Sequence, residues 1–120
     1  MKVRAIRIEP NRPAYEVEME DSLEAMQEAV EGWIEITYPF DDKVFIVGND
    51  EAKLIGKEGN RRINGAIYAG NLLIMGDDGC GGTRSLTEGE TKRYLERFKD
   101  PEEISDEEVQ EDIGFIVWSF

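Results

Sequence analysis

Four cationic side chains, Lys53, Lys57, Arg61 and Arg62, lie within ten residues and are interleaved with Gly56, Gly59 and Asn60. Glycines let neighbouring backbone N–H groups turn toward an anion, and guanidinium forks match the oxygens of a phosphate. Such a stretch could hold a phosphate or a nucleotide. It lacks the Gly-Lys-Ser/Thr ending that defines a P-loop. The plainer reading of the same residues is a solvated loop whose bases pair with the chain's two acidic blocks.

Other chemistry has less to work with. There is no histidine, which removes the commonest general base and the commonest metal ligand together. The single cysteine, Cys80, sits in Asp78-Gly79-Cys80-Gly81-Gly82, where neighbouring acids oppose a reactive thiolate. It can form no internal disulfide. Asp77 and Asp78 make a pair of carboxylates, but a hard-cation loop brings more oxygen ligands at alternating positions. No catalytic residue, metal site or cofactor is expected, and the chain reads as a binding protein rather than an enzyme.

Charge supplies the sharper signal. The 120 residues carry a formal net charge of −13. Two blocks contain acids and no bases: residues 16–35 and residues 100–112. Together they hold 16 of the 27 acids, which leaves 11 acids against 14 bases in the remainder. The chain is therefore a mildly basic body carrying two acidic segments. Repulsion from the phosphate backbone disfavours direct nucleic-acid binding. Glu103, Glu107, Glu108, Glu111 and Asp112 in the second block become candidates for contact with a basic protein partner. Charge runs are more often solvated surface, so that reading stands beside a plain solubilising face.

The elements that must position these groups follow from periodicity. Residues 3–8 and the alternation of Tyr15, Val17 and Met19 with Glu16, Glu18 and Glu20 predict an opening β-hairpin around Pro10-Asn11-Arg12-Pro13. Asp21 with Glu24 resembles a capping box for a first helix, with Gly32 as its stop. Residues 33–38, Val44-Phe45-Ile46-Val47 and Leu72-Leu73-Ile74-Met75 read as strands, the last two buried on both faces. Lys53-Leu54-Ile55 reads as short and extended, residues 56–62 as a loop, and Asn64-Gly65 as a tight turn. Residues 77–82 read as a flexible loop. Thr87 with Glu90 caps a second helix bearing Tyr94, Leu95 and Phe98, which Asp100-Pro101 ends. Ser105 with Glu108 caps a short acidic third helix stopped at Gly114, and residues 115–120 read as a hydrophobic terminal strand.

The expected fold is a single α+β domain over residues 1–120, with a body at 1–99 and the acidic segment and terminal strand at 100–120. Its sheet is mixed or mostly antiparallel, with about five strands. Leu23, Met26, Val30, Val44, Ile46, Leu72, Ile74, Leu95 and Phe98 should form the core, and Trp33 and Trp118 are read as core or docking residues. No apolar run approaches the roughly 20 residues that span a membrane, and the charged, alternating N-terminus is unlike a signal peptide. The expected location is the cytoplasm.

The order of short motifs resembles domain-of-unknown-function family 3846, small proteins of bacteria and phages. The resemblance runs almost end to end. Ile8-Glu9-Pro10, Ser22-Leu23-Glu24-Ala25-Met26-Gln27, Gly32-Trp33-Ile34-Glu35 and Asn49-Asp50-Glu51-Ala52-Lys53-Leu54 carry its first half. Asn60-Arg61, Ala69-Gly70-Asn71-Leu72-Leu73-Ile74-Met75-Gly76, Ser85-Leu86-Thr87 and Tyr94-Leu95-Glu96-Arg97-Phe98 carry its second. It implies an accessory product of a phage, plasmid or conjugative element, with no catalytic set to carry over. Asn49 and the Asn60-Arg61 pair match the family pattern and fall in or beside the basic stretch. Asn49, Lys53, Lys57, Asn60, Arg61 and Arg62 are therefore the candidate ligand residues for a small anion.

Overall fold

The computed structural model describes residues 1–118. The hairpin forms as expected, β1 (Lys2–Ile8) pairing antiparallel with β2 (Tyr15–Glu20). The helix α1 (Leu23–Val30) follows, then β3 (Ile34–Thr37) and β4 (Val44–Asn49). A second hairpin, β5 (Gly59–Ile63) and β6 (Ala66–Ala69), precedes β7 (Leu72–Asp77) and the short β8 (Thr83–Arg84). The chain ends in α2 (Glu88–Arg97) and α3 (Asp106–Trp118).

The main sheet runs β2-β1-β7-β4-β3 with β8 on β7, and every neighbouring pair is antiparallel. Its central strands show why the sequence gives unbroken apolar runs there. Phe45, Val47, Leu73 and Met75 point to one face, where Met26, Ala29 and Val30 of α1 cover them. Val44, Ile46, Leu72 and Ile74 point to the other, under Ile63 of β5, Leu86, Tyr94 of α2 and Phe98 at its C-cap. Each such side chain taken fully from water contributes roughly 1.5–3 kcal/mol, so the two-faced centre carries most of the stability.

Local chemistry sets the helix ends. Thr87 Oγ1 accepts from Glu90 N at 3.1 Å while Glu90 Oε1 accepts from Thr87 N at 2.9 Å, the predicted capping box. Ser105 and Glu108 repeat it, with Ser105 Oγ accepting from Glu108 N at 3.1 Å and Glu108 Oε2 from Ser105 N at 2.8 Å. On α1 the cap is Ser22 rather than Asp21, because Ser22 Oγ reaches Ala25 N at 3.1 Å. Asp21 accepts from Thr83 Oγ1 instead. The left-handed residue ending α1 is Glu31, φ 63°, one before Gly32. Gly32 serves a close approach: a Cβ there would lie 2.7 Å from Asn49 Nδ2.

Several expectations need correction. Residues 56–62 are not one loop, since Gly59 onward is strand β5. Lys53-Leu54-Ile55 lies in the turn after β4 rather than in an extended segment. Leu23, at the start of α1, is exposed because Met26, Ala29 and Val30 fill the helix's buried face. Trp33 is 71% exposed and belongs to no core. Leu95 packs at the core's margin. Gly114 does not stop α3, which carries residues 115–118 as helix rather than strand. The expectation for Ser119 and Phe120, and for the Trp118 side chain, lies outside the described residues. No described helix is long and apolar enough to cross a membrane.

Candidate functional site

The β5–β6 hairpin stands against the main sheet and organises everything around the basic stretch. Asn60 and Arg61 are fully buried, not displayed. Asn60 Nδ2 donates to Ile8 O at 2.9 Å and Gly70 O at 2.7 Å, which ties the hairpin to the end of β1. The Arg61 guanidinium donates to Arg12 O at 2.6 Å, to Phe98 O at 3.0 Å, and to Asn60 O and Oδ1. One side chain thereby joins the β1–β2 loop, β5 and the C-terminal end of α2, where the helix dipole favours a cation. Among the described residues Arg61 Nε has no partner, and burial holds the guanidinium below the usual arginine range. Its hydrogen bonds among those residues go to backbone and amide oxygens.

The remaining candidates disperse. Asn49 is buried, donating to Val30 O and Glu31 O at the end of α1 while its Oδ1 accepts from Glu51 N at 2.8 Å. Lys57 pairs with Glu31 at 2.7 Å and holds that carboxyl below its ordinary range. Lys53 pairs with Asp112. Arg62 reaches Glu102 at 3.3 Å and Glu108 at 2.5 Å. The Glu108 carboxyl is held low, first by the Ser105 backbone N–H and then by Arg62. Thus the four bases do not converge on one point. Two of them fasten the second acidic block to the body, and apolar contact finishes the attachment: Val109, with Ile104, packs on Ala52, Ala69 and Ile67.

Of the five candidate partner acids, Glu108 and Asp112 are used in that attachment. Glu103, Glu107 and Glu111 are exposed. None of these three has a cation within ion-pair distance among the described residues.

A cleft of about 420 Å³ opens between the main sheet and the hairpin. Its walls are β6, the outer part of β3 at Glu35 and Thr37, the end of β4, and the turn through Leu54. Tyr68 OH and Thr37 Oγ1 bridge the two walls at 3.0 Å. Two of the sequence candidates, Asn49 and Lys53, line it, whereas Lys57, Asn60, Arg61 and Arg62 do not. Glu35, from the first acidic block, and Asp50 and Glu51 also line it, and none of the three is among the candidate ligand residues. Period-two alternation with Ile34 and Ile36 shows that Glu35 faces away from α1, yet nothing local shows that a hairpin meets it there.

Cys80 is exposed, and the loop around it is closed by Asp78 Oδ1 accepting from Cys80 N at 2.7 Å and Gly82 N at 2.9 Å. Those two backbone donors lower the Asp78 pKa. The acid is thus used to shape its own turn.

No curated protein and no solved structure matches the chain. The family model described as domain of unknown function DUF3846 matches residues 1–99, and α3 begins beyond the matched residues. The chain belongs to that family.

Proposed function

We propose that this DUF3846 member is a non-enzymatic binding protein that holds a basic protein through its acidic surface, as an accessory product of a phage or other mobile element. The carrying observation is the division of acids around α3. Glu108 and Asp112 face the body and pair with Arg62 and Lys53, while Glu103, Glu107 and Glu111 are exposed and form no ion pair among the described residues. Glu107 and Glu111 are one helical turn apart and so share a face. A row of carboxylates held in place spares the ordering cost that a disordered tail would carry on binding. The net charge of −13 adds long-range attraction for a basic surface and repulsion from nucleic acid.

Small-anion binding at Lys53, Lys57, Asn60, Arg61 and Arg62 is the other reading. Weighing against it, Lys53, Lys57 and Arg62 each have a carboxylate partner, and Arg61 is enclosed. The test is capture of basic proteins from a bacterial lysate by the wild type and by Glu103→Lys/Glu107→Lys/Glu111→Lys. Loss of a specific captured protein at unchanged thermal stability is the expected result, and undiminished capture removes the reading. A nucleotide thermal-shift screen addresses the other one, since ligand at 100 times its Kd adds about 2.7 kcal/mol.

A further inference from the structure

The cleft beside β6 combines three properties that belong together in one kind of site. First, all four residues of β6 line it, and β6 pairs with β5 alone. In a two-stranded ladder, alternate backbone N–H and C=O groups of each strand point away from the partner. Among the described residues, strand β6 therefore offers unpaired backbone groups along the cleft. Second, the lining is largely apolar, with Ala52, Leu54, Ala66, Ile67 and Leu72 among its residues. Leu54 is 68% exposed. Third, Glu35, Asp50 and Glu51 are exposed on its walls with no cation in ion-pair distance among the described residues. Its one base, Lys53, is already paired with Asp112.

We infer that the cleft receives an extended segment of the protein partner, in which basic and apolar side chains alternate, added as a strand to the free edge of β6. The backbone edge supplies hydrogen bonds, as in other strand-addition sites, and alternation supplies selectivity. Apolar side chains of the segment lie over Ala66 and Leu54, and its Lys or Arg side chains meet Glu35, Asp50 and Glu51. Four residues of β6 correspond to about 13 Å of extended chain, so roughly four residues of the partner are read. The inference rests on the acidic-surface reading, with which it shares a border: Lys53 lines the cleft and also holds Asp112 of α3.

The test titrates the peptide (Lys-Val)4 into the full isotope-labelled chain and follows backbone amide shifts. Shifts at Glu35, at residues 51–54 and along β6 are expected. The same peptide N-methylated at alternate amides should bind at least tenfold more weakly, as should the plain peptide to Glu35→Lys/Asp50→Lys/Glu51→Lys, since rim charges act together on association. Binding that survives both changes overturns the strand-addition site. Shifts confined to α3, abolished by Glu103→Lys/Glu107→Lys/Glu111→Lys, also overturn it but leave the acidic-surface reading standing. Absence of peptide binding together with undiminished protein capture by the α3 variant removes both. If the full chain stays silent but Phe115→Ser/Ile116→Ser binds the peptide, the occupant is the protein's own C-terminal segment and the proposal falls.

Discussion

On β5, Asn60 and Arg61 are turned inward, and the Asn60 amide and the Arg61 Nη2 donate to backbone carbonyls from three other parts of the chain. On β6, across the Asn64-Gly65 turn, a strand edge unpaired among the described residues borders a cleft whose Glu35, Asp50 and Glu51 form no ion pair among those residues. The two strands of one hairpin thus divide architecture from recognition. A polar group surrounded by satisfied partners has nothing left to give a ligand without a cost to stability. A polar group in solvent beside apolar surface can be paired at little cost. The contrast gives opposite expectations for substitutions on the two sides.

The largest effect belongs to Arg61. Replacing it with Met removes the guanidinium and leaves Arg12 O, Phe98 O and Asn60 O without their buried donor. A loss of about 3–5 kcal/mol is expected in urea unfolding, the scale of several buried carbonyls losing a charged donor at once. Arg61→Lys keeps the charge but not the fork, and should fall between. A loss below about 1 kcal/mol for Arg61→Met would mean that water satisfies these carbonyls and that Arg61 is no keystone. Asn60→Ala follows at about 2–3 kcal/mol, because two buried carbonyls lose their donor at once.

These same residues show where sequence reading stops. The two-faced strands at Val44-Phe45-Ile46-Val47 and Leu72-Leu73-Ile74-Met75, the Thr87–Glu90 cap and the opening hairpin were legible because their signals are local. Strand β5 was not, because Gly59-Asn60-Arg61-Arg62 is polar and carries a glycine, the marks of a loop. Its polarity is matched to carbonyls contributed by Ile8, Arg12, Gly70 and Phe98, which are distant in sequence and adjacent only after folding. The cleft was hidden for a related reason: Glu35, Asp50 and Glu51 come from one stretch of chain and β6 from another. The pairing of the basic stretch with the second acidic block was within reach, since complementary charge alone raises it, but which base meets which acid was not.

Gly59 tests the junction between body and α3. A Cβ there would sit 2.6 Å from Ile104 Cγ2 and 3.1 Å from Val109 Cγ2. Gly59→Ala should cost about 1–2 kcal/mol by overpacking and should loosen α3. Faster proteolysis between residues 99 and 106 at nearly unchanged exchange protection in β4 and β7 is the expected signature. Equal protection of α3 in both proteins would show that Ile104 yields without moving the helix.

Arg84, half-buried, provides a contrast to the fully buried Arg61. Unlike Arg61 it has a carboxylate partner, Glu90, at 2.8 Å, and that carboxyl is held down to about 2, chiefly by the hydrogen bond from Arg84. A depressed carboxyl pKa contributes stability that is present above its unfolded value, 4.5, and is lost as pH falls through about 2. Glu90→Gln should therefore cost about 1–2 kcal/mol at pH 7, on the scale of a lost cap, with the gap to wild type closing between pH 4.5 and 2. Among the described residues no carboxylate contacts the Arg61 guanidinium, and Glu102 and Asp100 attract it only at longer range, so the deficit of Arg61→Met should change much less over the same range. Parallel pH profiles for the two variants would contradict the difference in their partners.

The smallest stability effect is expected in the cleft, and its smallness is the point. Glu35, Asp50 and Glu51 are exposed and form no ion pair among the described residues. Neutralising all three to Gln should change unfolding by no more than about 0.5 kcal/mol, and relief of like-charge repulsion in a chain of net charge −13 makes a slight gain as consistent as a slight loss. A structural carboxylate set would show the reverse, with a loss comparable to Glu90→Gln. If the triple variant is as stable as wild type yet loses affinity for a basic segment, the cleft's acids act in binding and not in folding. That separation is the one Asn60 and Arg61 cannot show, because on β5 any change in polarity is first a change in the fold.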